Sequence, residues 1–182
     1  MPFTFTPCSI PGLFEIQPKL FCDERGYFFE SYSQRDFSAA GISLSFVQDN
    51  QSLSTKGTLR GLHFQKKQPQ GKLVTVQQGE AFDVAVDIRQ GSTTYGKWHS
   101  VILSGEKHNQ FYIPPGFAHG FLALTDTVVF AYKCTDFYYP EDEAGIIWND
   151  PEIAINWPDL GMDYILSEKD KALPAFSYIL KK

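Results

Sequence analysis

Cysteine, long apolar runs and basic clusters are what this 182-residue chain has least of, and each scarcity closes off a class of protein. The three cysteines, Cys8, Cys22 and Cys134, are odd in number, far apart and without a CxxC pair. That pattern argues against a disulfide framework and against a zinc ribbon. No apolar run approaches the roughly 18 residues a membrane helix needs, and no signal-peptide pattern opens the chain. A reduced, cytoplasmic protein with no membrane partner is expected. Apart from the terminal Lys181-Lys182 there is no Lys/Arg run, and the net charge is -5. A nucleic-acid backbone would call for a basic face, so no nucleic-acid partner is expected and any phosphate contacts should be few and local. No repeat, low-complexity tract or linker divides the sequence, which predicts one domain over residues 1–182 with a full core.

Aromatic residues are plentiful instead, with 16 Phe and 9 Tyr, favouring a β-rich interior and leaving rings free to stack on a ligand such as a nucleobase. Short strand-like runs recur between turn signals, from Phe3-Thr4-Phe5-Thr6 through Lys72-Leu73-Val74-Thr75-Val76 and Ala81–Ile88 to Val128-Val129-Phe130-Ala131-Tyr132. Such spacing is that of a sandwich or barrel. Helical signals are confined mainly to Ser33–Ala40, ended by Gly41, and to the segment after Ser167.

Arg60-Gly61-Leu62-His63-Phe64-Gln65 combines a cation and a candidate general base in one strand-like segment. Regular alternation would put Arg60 and His63 on opposite faces, but Gly61 allows a bend that brings them together. A lone histidine in such a run is ordinarily a satisfied core residue. Here Lys72, Asp83, His119, Tyr132 and Asp170 also interrupt or flank apolar segments, and burying ionisable groups without partners is costly. Together they favour one shared polar pocket. If Gln77-Gln78 forms a hairpin turn, Lys72 lies directly across from Asp83; a bulge at Gly79 would shift that pairing by one. If Thr125-Asp126 forms the next, His119 lies across from Tyr132.

Pro114-Pro115-Gly116-Phe117-Ala118-His119 resembles the PxGxxH segment of cupin-type double-stranded barrels. In metal-binding cupins the first motif supplies two closely spaced histidines. The counterpart here is Gly61–Gln65, with Gln65 in place of the second histidine, and Lys72 nearby would repel a divalent ion. No catalytic metal is expected.

Five segments, taken in order, resemble one family over nearly the whole chain: Asp23–Glu30, Gln48-Asp49-Asn50-Gln51-Ser52, Arg60–Gln65, Pro114–Gly120 and Leu166-Ser167-Glu168-Lys169-Asp170. That family is dTDP-4-dehydrorhamnose 3,5-epimerase. The resemblance implies a mostly β fold, a cupin-like double-stranded β-helix or jelly roll with a few short helices. It also implies inversion of C3 and C5 beside the C4 ketone of a dTDP-4-keto-6-deoxyhexose, without a cofactor. Removing a proton α to a carbonyl needs a positioned base and stabilisation of the enolate oxygen, and inversion needs an acid on the other face.

By the same resemblance His63 is the base, oriented by Asp170; Lys72 sits by the C4 oxygen, kept charged and aimed by Asp83; and Tyr132 is the acid, with His119 helping it or binding substrate. Ser167–Asp170 also reads as a helix capping box. Arg25, Gln48, Asn50 and Arg60 would hold the diphosphate, and Asp49 in the same segment would be a further substrate-binding residue. Tyr138 would stack on thymine, Glu30 would contact the nucleoside with Phe21 nearby, and Glu143 and Lys169 would stand at the rim. Family members are homodimers in which the Arg25 and Glu30 segment enters the partner's site. Competing readings are an epimerase of one carbon or a ketoisomerase on the same frame, a nucleotide-sugar binding module, and a metal-dependent cupin oxygenase.

Overall fold

The computed structural model describes residues 2–181; Lys182 of the terminal basic pair lies outside the described residues. In chain order the elements are β1 (Phe3–Pro7), β2 (Phe14–Pro18), β3 (Phe21–Asp23), β4 (Gly26–Phe28), α1 (Gln34–Ala39), β5 (Gln48–Thr55), β6 (Leu59–Gln65) and β7 (Lys72–Gln78). Next come β8 (Glu80–Asp87), β9 (Trp98–Ser104), β10 (Gln110–Ile113), β11 (Phe117–Ala123), β12 (Thr127–Cys134), β13 (Glu143–Gly145) and α2 (Glu168–Lys171). Short 3-10 helices occupy Pro140–Asp142 and Phe176–Lys181.

The strands form a six-stranded sheet in the order β1-β2-β10-β7-β12-β5 and a five-stranded sheet in the order β13-β6-β11-β8-β9. The β3–β4 hairpin stands apart as a small arm. All named strand pairs are antiparallel. This is a jelly roll, the cupin-like arrangement expected from the sequence.

Alternation along the strands produces three apolar layers. Between the sheets lie Val74, Val76, Ala81, Ala85, Leu103, Phe111, Ile113, Phe121, Val128 and Phe130. The outer face of the five-stranded sheet, through Leu62, Val84, Val86 and Ala118, is covered by Ile146, Ile153 and Phe176 of the C-terminal segment. The outer face of the six-stranded sheet, through Ile16, Leu73 and Tyr112, packs under Phe37 and Ile42 at α1. Both helices start where their caps predict: Ser33 accepts from the Asp36 amide and Ser167 from the Asp170 amide. Gly41, at φ +92°, follows the end of α1.

The two expected hairpins do not form. β7 pairs with β10 and β12, while β8 pairs with β11 and β9. β11 pairs with β6 and β8, while β12 pairs with β5 and β7. Lys72 and Asp83, like His119 and Tyr132, therefore sit on opposite sheets rather than across one ladder. At both turns the chain rounds a corner from one sheet to the other, and the turn residues that suit a hairpin suit a corner equally well. Gly79 marks the first: at φ +80°, an added Cβ would stand 2.1 Å from the Thr127 carbonyl oxygen.

Candidate active site

The open end of the space between the sheets is a cavity of about 770 Å³. Gln48 and Asn50 enter it from β5, Arg60 and His63 from β6, Lys72 from β7, His119 from β11 and Tyr132 from β12. Tyr138 follows β12, Glu143 opens β13, and Lys169 and Asp170 come from α2.

A bulge in β6 puts Arg60 and His63 into the same space. His63 pairs with His119 and Arg60 with Phe121, so three steps of β6 oppose two of β11. The extra residue cancels one alternation, as the glycine suggested. Gly61 has φ +118°, and a Cβ there would lie 2.6 Å from Gly120 Cα and 2.7 Å from the His119 carbonyl oxygen. Arg60 is then held by Ser54, whose buried hydroxyl oxygen accepts from Nε at 3.1 Å. Ser54 was not among the sequence candidates; its place on the same face as Gln48 and Asn50 was the available signal.

His63 Nε2 lies 2.5 Å from Asp170 Oδ1. Ser167 accepts the Asp170 amide at 3.1 Å while the carboxylate turns away to the imidazole, so cap and ion pair coexist. Burial alone would raise the Asp170 carboxyl, but the hydrogen bond and charge of His63, with help from Ser167 and Lys169, hold it below its ordinary value. The amine of Lys72 is pushed down by burial, against the pull of Cys134, Asp83 and Glu143. Burial pushes the Tyr132 phenol up, as does Cys134, while the charge of Arg60 pulls it down. Phe121 and Phe130, stacked with centroids 4.0 Å apart and 4° between planes, also line the cavity.

Asp83 is placed differently from expectation. It is fully buried, and both its oxygens lie within hydrogen-bond distance of His119 Nε2, at 2.9 and 3.1 Å. It acts on Lys72 only through its charge and does not aim it by a hydrogen bond. Asp49 points away from the cavity, as alternation with Gln48 and Asn50 requires, and pairs with Lys133 at 2.9 Å. Phe21, Arg25 and Glu30 are exposed on or beside the β3–β4 arm and do not line this chain's cavity. Arg25 is engaged by Asp23. At the rim, Glu143 accepts from both Tyr138 Oη, at 2.5 Å, and Lys169 Nζ. Among the described residues, no cluster of three or more His, Cys, Asp or Glu side chains could hold a metal ion, and no helix is long and apolar enough to cross a membrane.

A carboxylate-bound imidazole, a phenol and an ammonium converging on one cavity inside a jelly roll define a cupin-like acid–base enzyme. The family model for dTDP-4-dehydrorhamnose 3,5-epimerase matches residues 7–178. The chain is 53% identical over 170 residues to the dTDP-4-dehydrorhamnose 3,5-epimerase of Methanothermobacter thermautotrophicus, covering 93% of this chain and 92% of that one. It is 53% identical over 173 residues to the enzyme of the same name from Pseudomonas aeruginosa, covering 94% and 95%. The crystal structure of a dTDP-6-deoxy-D-glucose-3,5-epimerase from Legionella pneumophila in complex with dTDP-4-keto-L-rhamnose superposes with a TM-score of 0.94 at 53% identity, over 97% of this chain and 94% of that one. The chain belongs to the dTDP-4-dehydrorhamnose 3,5-epimerase family.

Proposed function

We propose that this protein is an isomerase that inverts C3 and C5 of dTDP-4-dehydro-6-deoxy-D-glucose in dTDP-L-rhamnose synthesis. The observation that carries the reading is the His63–Asp170 pair sharing one cavity with Lys72 and Tyr132. Asp170 engages Nε2, which leaves Nδ1 as the nitrogen available to take a proton from the carbon beside the ketone. As the C–H bond breaks, its electron pair moves onto the C4 oxygen, where the Lys72 ammonium stabilises the enolate. The Tyr132 phenol then gives its proton to the carbon from the other face, and Arg60 supports the resulting phenolate. The carbon has lost one proton and gained another, so no redox partner enters.

Gln48, Asn50 and Arg60 serve the diphosphate, with Arg60 presented by Ser54. Tyr138 serves the thymine, and Glu143 and Lys169 frame it. Proton NMR of the dTDP-4-keto-6-deoxyglucose substrate in D₂O tests the reaction directly. Deuterium should enter at both C3 and C5 with inversion, and His63→Ala should abolish it; inversion at a single carbon would sink the 3,5 assignment.

The active form in this reading is a cytoplasmic homodimer, its free thiols Cys8, Cys22 and Cys134 suiting a reducing compartment. Phe21, Arg25 and Glu30 act in the partner's site, which accords with their distance from their own cavity and with the exposure of Phe21, Tyr27 and Phe28 on the arm. Mixing His63→Ala with Arg25→Ala protein and allowing subunits to exchange should restore activity, because one site of the mixed dimer then has both residues intact. Absence of complementation would refute the exchange.

A further inference from the structure

Gln65 lies two residues beyond His63 on the same face of β6 and is only 5% exposed. Its amide is bonded entirely to main chain. Nε2 donates to the carbonyls of Gln68 at 2.7 Å and Phe137 at 3.1 Å, and Oε1 accepts from the Tyr139 amide at 2.8 Å. The Tyr138 amide between them donates to Gln48 Oε1 at 3.0 Å. Both peptide groups that flank Tyr138 are thus held by two glutamines, one from each sheet.

Residues 135–139 form neither strand nor helix, so these side chains replace the ladder bonds that would otherwise hold the segment. Tyr138 is 48% exposed, and its hydroxyl contact to Glu143 is an end-on tether. Where the ring stands at the cavity mouth therefore follows from where the main chain is clamped.

We propose that Gln65 is a positioning residue for the nucleotide end of the cavity, acting through Tyr138 to preset the ring on which the planar base of a nucleoside diphosphate lies. The inference rests on the stacking role given to Tyr138 under the proposed function. Only an amide meets the demand, since two carbonyls need a donor and one N–H needs an acceptor at the same site. A carboxylate of the same shape faces the two carbonyl oxygens with no proton to offer. Loosening the clamp moves the ordering of this segment from folding to binding, which weakens nucleotide affinity. Proton transfer at His63 does not depend on it.

The test is calorimetric titration with dTDP, together with kcat and KM for the dTDP-4-keto sugar, on wild type, Gln65→Glu, Tyr138→Ala and the double variant. Gln65→Glu should raise both the Kd for dTDP and KM about tenfold, or ~1.4 kcal/mol, with kcat within about twofold. On the Tyr138→Ala background it should add less than about twofold, because the two act as one unit. An unchanged Kd, a fall in kcat at constant KM, or a full tenfold effect on the Tyr138→Ala background would overturn the proposal. Gln65→Met, uncharged and of similar length, supplies the same measurement if Gln65→Glu does not fold; failure of both to fold would assign Gln65 to general stability and overturn it too. A wild type that does not bind dTDP would overturn the functional reading itself, which is distinguishable from a wild type that binds while the variants bind equally well.

Discussion

His63 Nε2 and Asp170 Oδ1 meet at 2.5 Å although 107 positions separate them in the chain. The contact joins the first turn of α2 to the bulged stretch of β6, so a capped helix end sets the orientation of the imidazole. Asp170→Asn keeps the shape but removes the charge that stabilises an imidazolium. It should lower kcat by about 10²- to 10⁴-fold with little change in dTDP affinity. The same variant reports on stability. The Asp170 carboxyl is held below its ordinary value, so its contribution is complete above about pH 4 to 5 and is lost as pH falls through the lowered folded-state value. The melting-temperature gap between wild type and Asp170→Asn should be full at neutral pH and close in acid. A gap independent of pH would contradict this account.

Tyr132→Phe removes the phenol proton while leaving the ring in the cavity. Deuterium exchange by His63 should continue at a measurable rate in D₂O, but the inverted product should fall at least about 10²-fold relative to wild type. Epimerisation at the wild-type rate would exclude Tyr132 as the acid.

The Lys72 amine is pushed down by burial, so it loses its proton at lower pH than an ordinary lysine, whose value is 10.5. In the proposed mechanism the charged form is the one that stabilises the enolate. kcat/KM should therefore decline on the alkaline side below pH 10.5, while Tyr132, pushed up from 10.0, holds its proton to higher pH than an ordinary phenol. Lys72→Met should be about 10²- to 10³-fold slower and lack this limb. A limb that survives the substitution would belong to another group.

Gly61→Ala tests the bulge. The new methyl would meet Gly120 Cα and the His119 carbonyl, and the positive φ disfavours any side chain. A stability loss of roughly 1–3 kcal/mol is expected in denaturant titration. Loss of dTDP binding should accompany it, because Arg60 turns out of the cavity. Stability close to wild type with normal binding would show that the ladder tolerates the methyl.

Residue chemistry and short-range periodicity were enough to read much of this molecule. The strand-like runs at Phe3–Thr6 and Ala81–Ile88, the caps at Ser33 and Ser167 and the stop at Gly41 depend on neighbours a few residues away, and all appear in the structure, the second run as a strand that ends at Asp87. So does the local break at Gly61 that lets Arg60 and His63 share a cavity. The ionisable residues Lys72, His119, Tyr132 and Asp170 stood out because their types conflict with their apolar surroundings.

Tertiary structure alone decided how those pieces combine. Whether Gln77–Gly79 and Thr125–Asp126 close hairpins or turn corners depends on which sheet buries the next aromatic row, and no local turn signal records that. It therefore took the fold to put Asp83 under His119 rather than beside Lys72, and to leave Phe21, Arg25 and Glu30 away from their own cavity. Gln65, read as the residue standing where a metal ligand would be, became a clamp on the Tyr138 segment only once that segment folded over it. The sequence by itself determined the strands, the caps and the chemical groups, through interactions spanning a few residues. Sheet membership and side-chain partners were decided by packing between residues up to 107 positions apart.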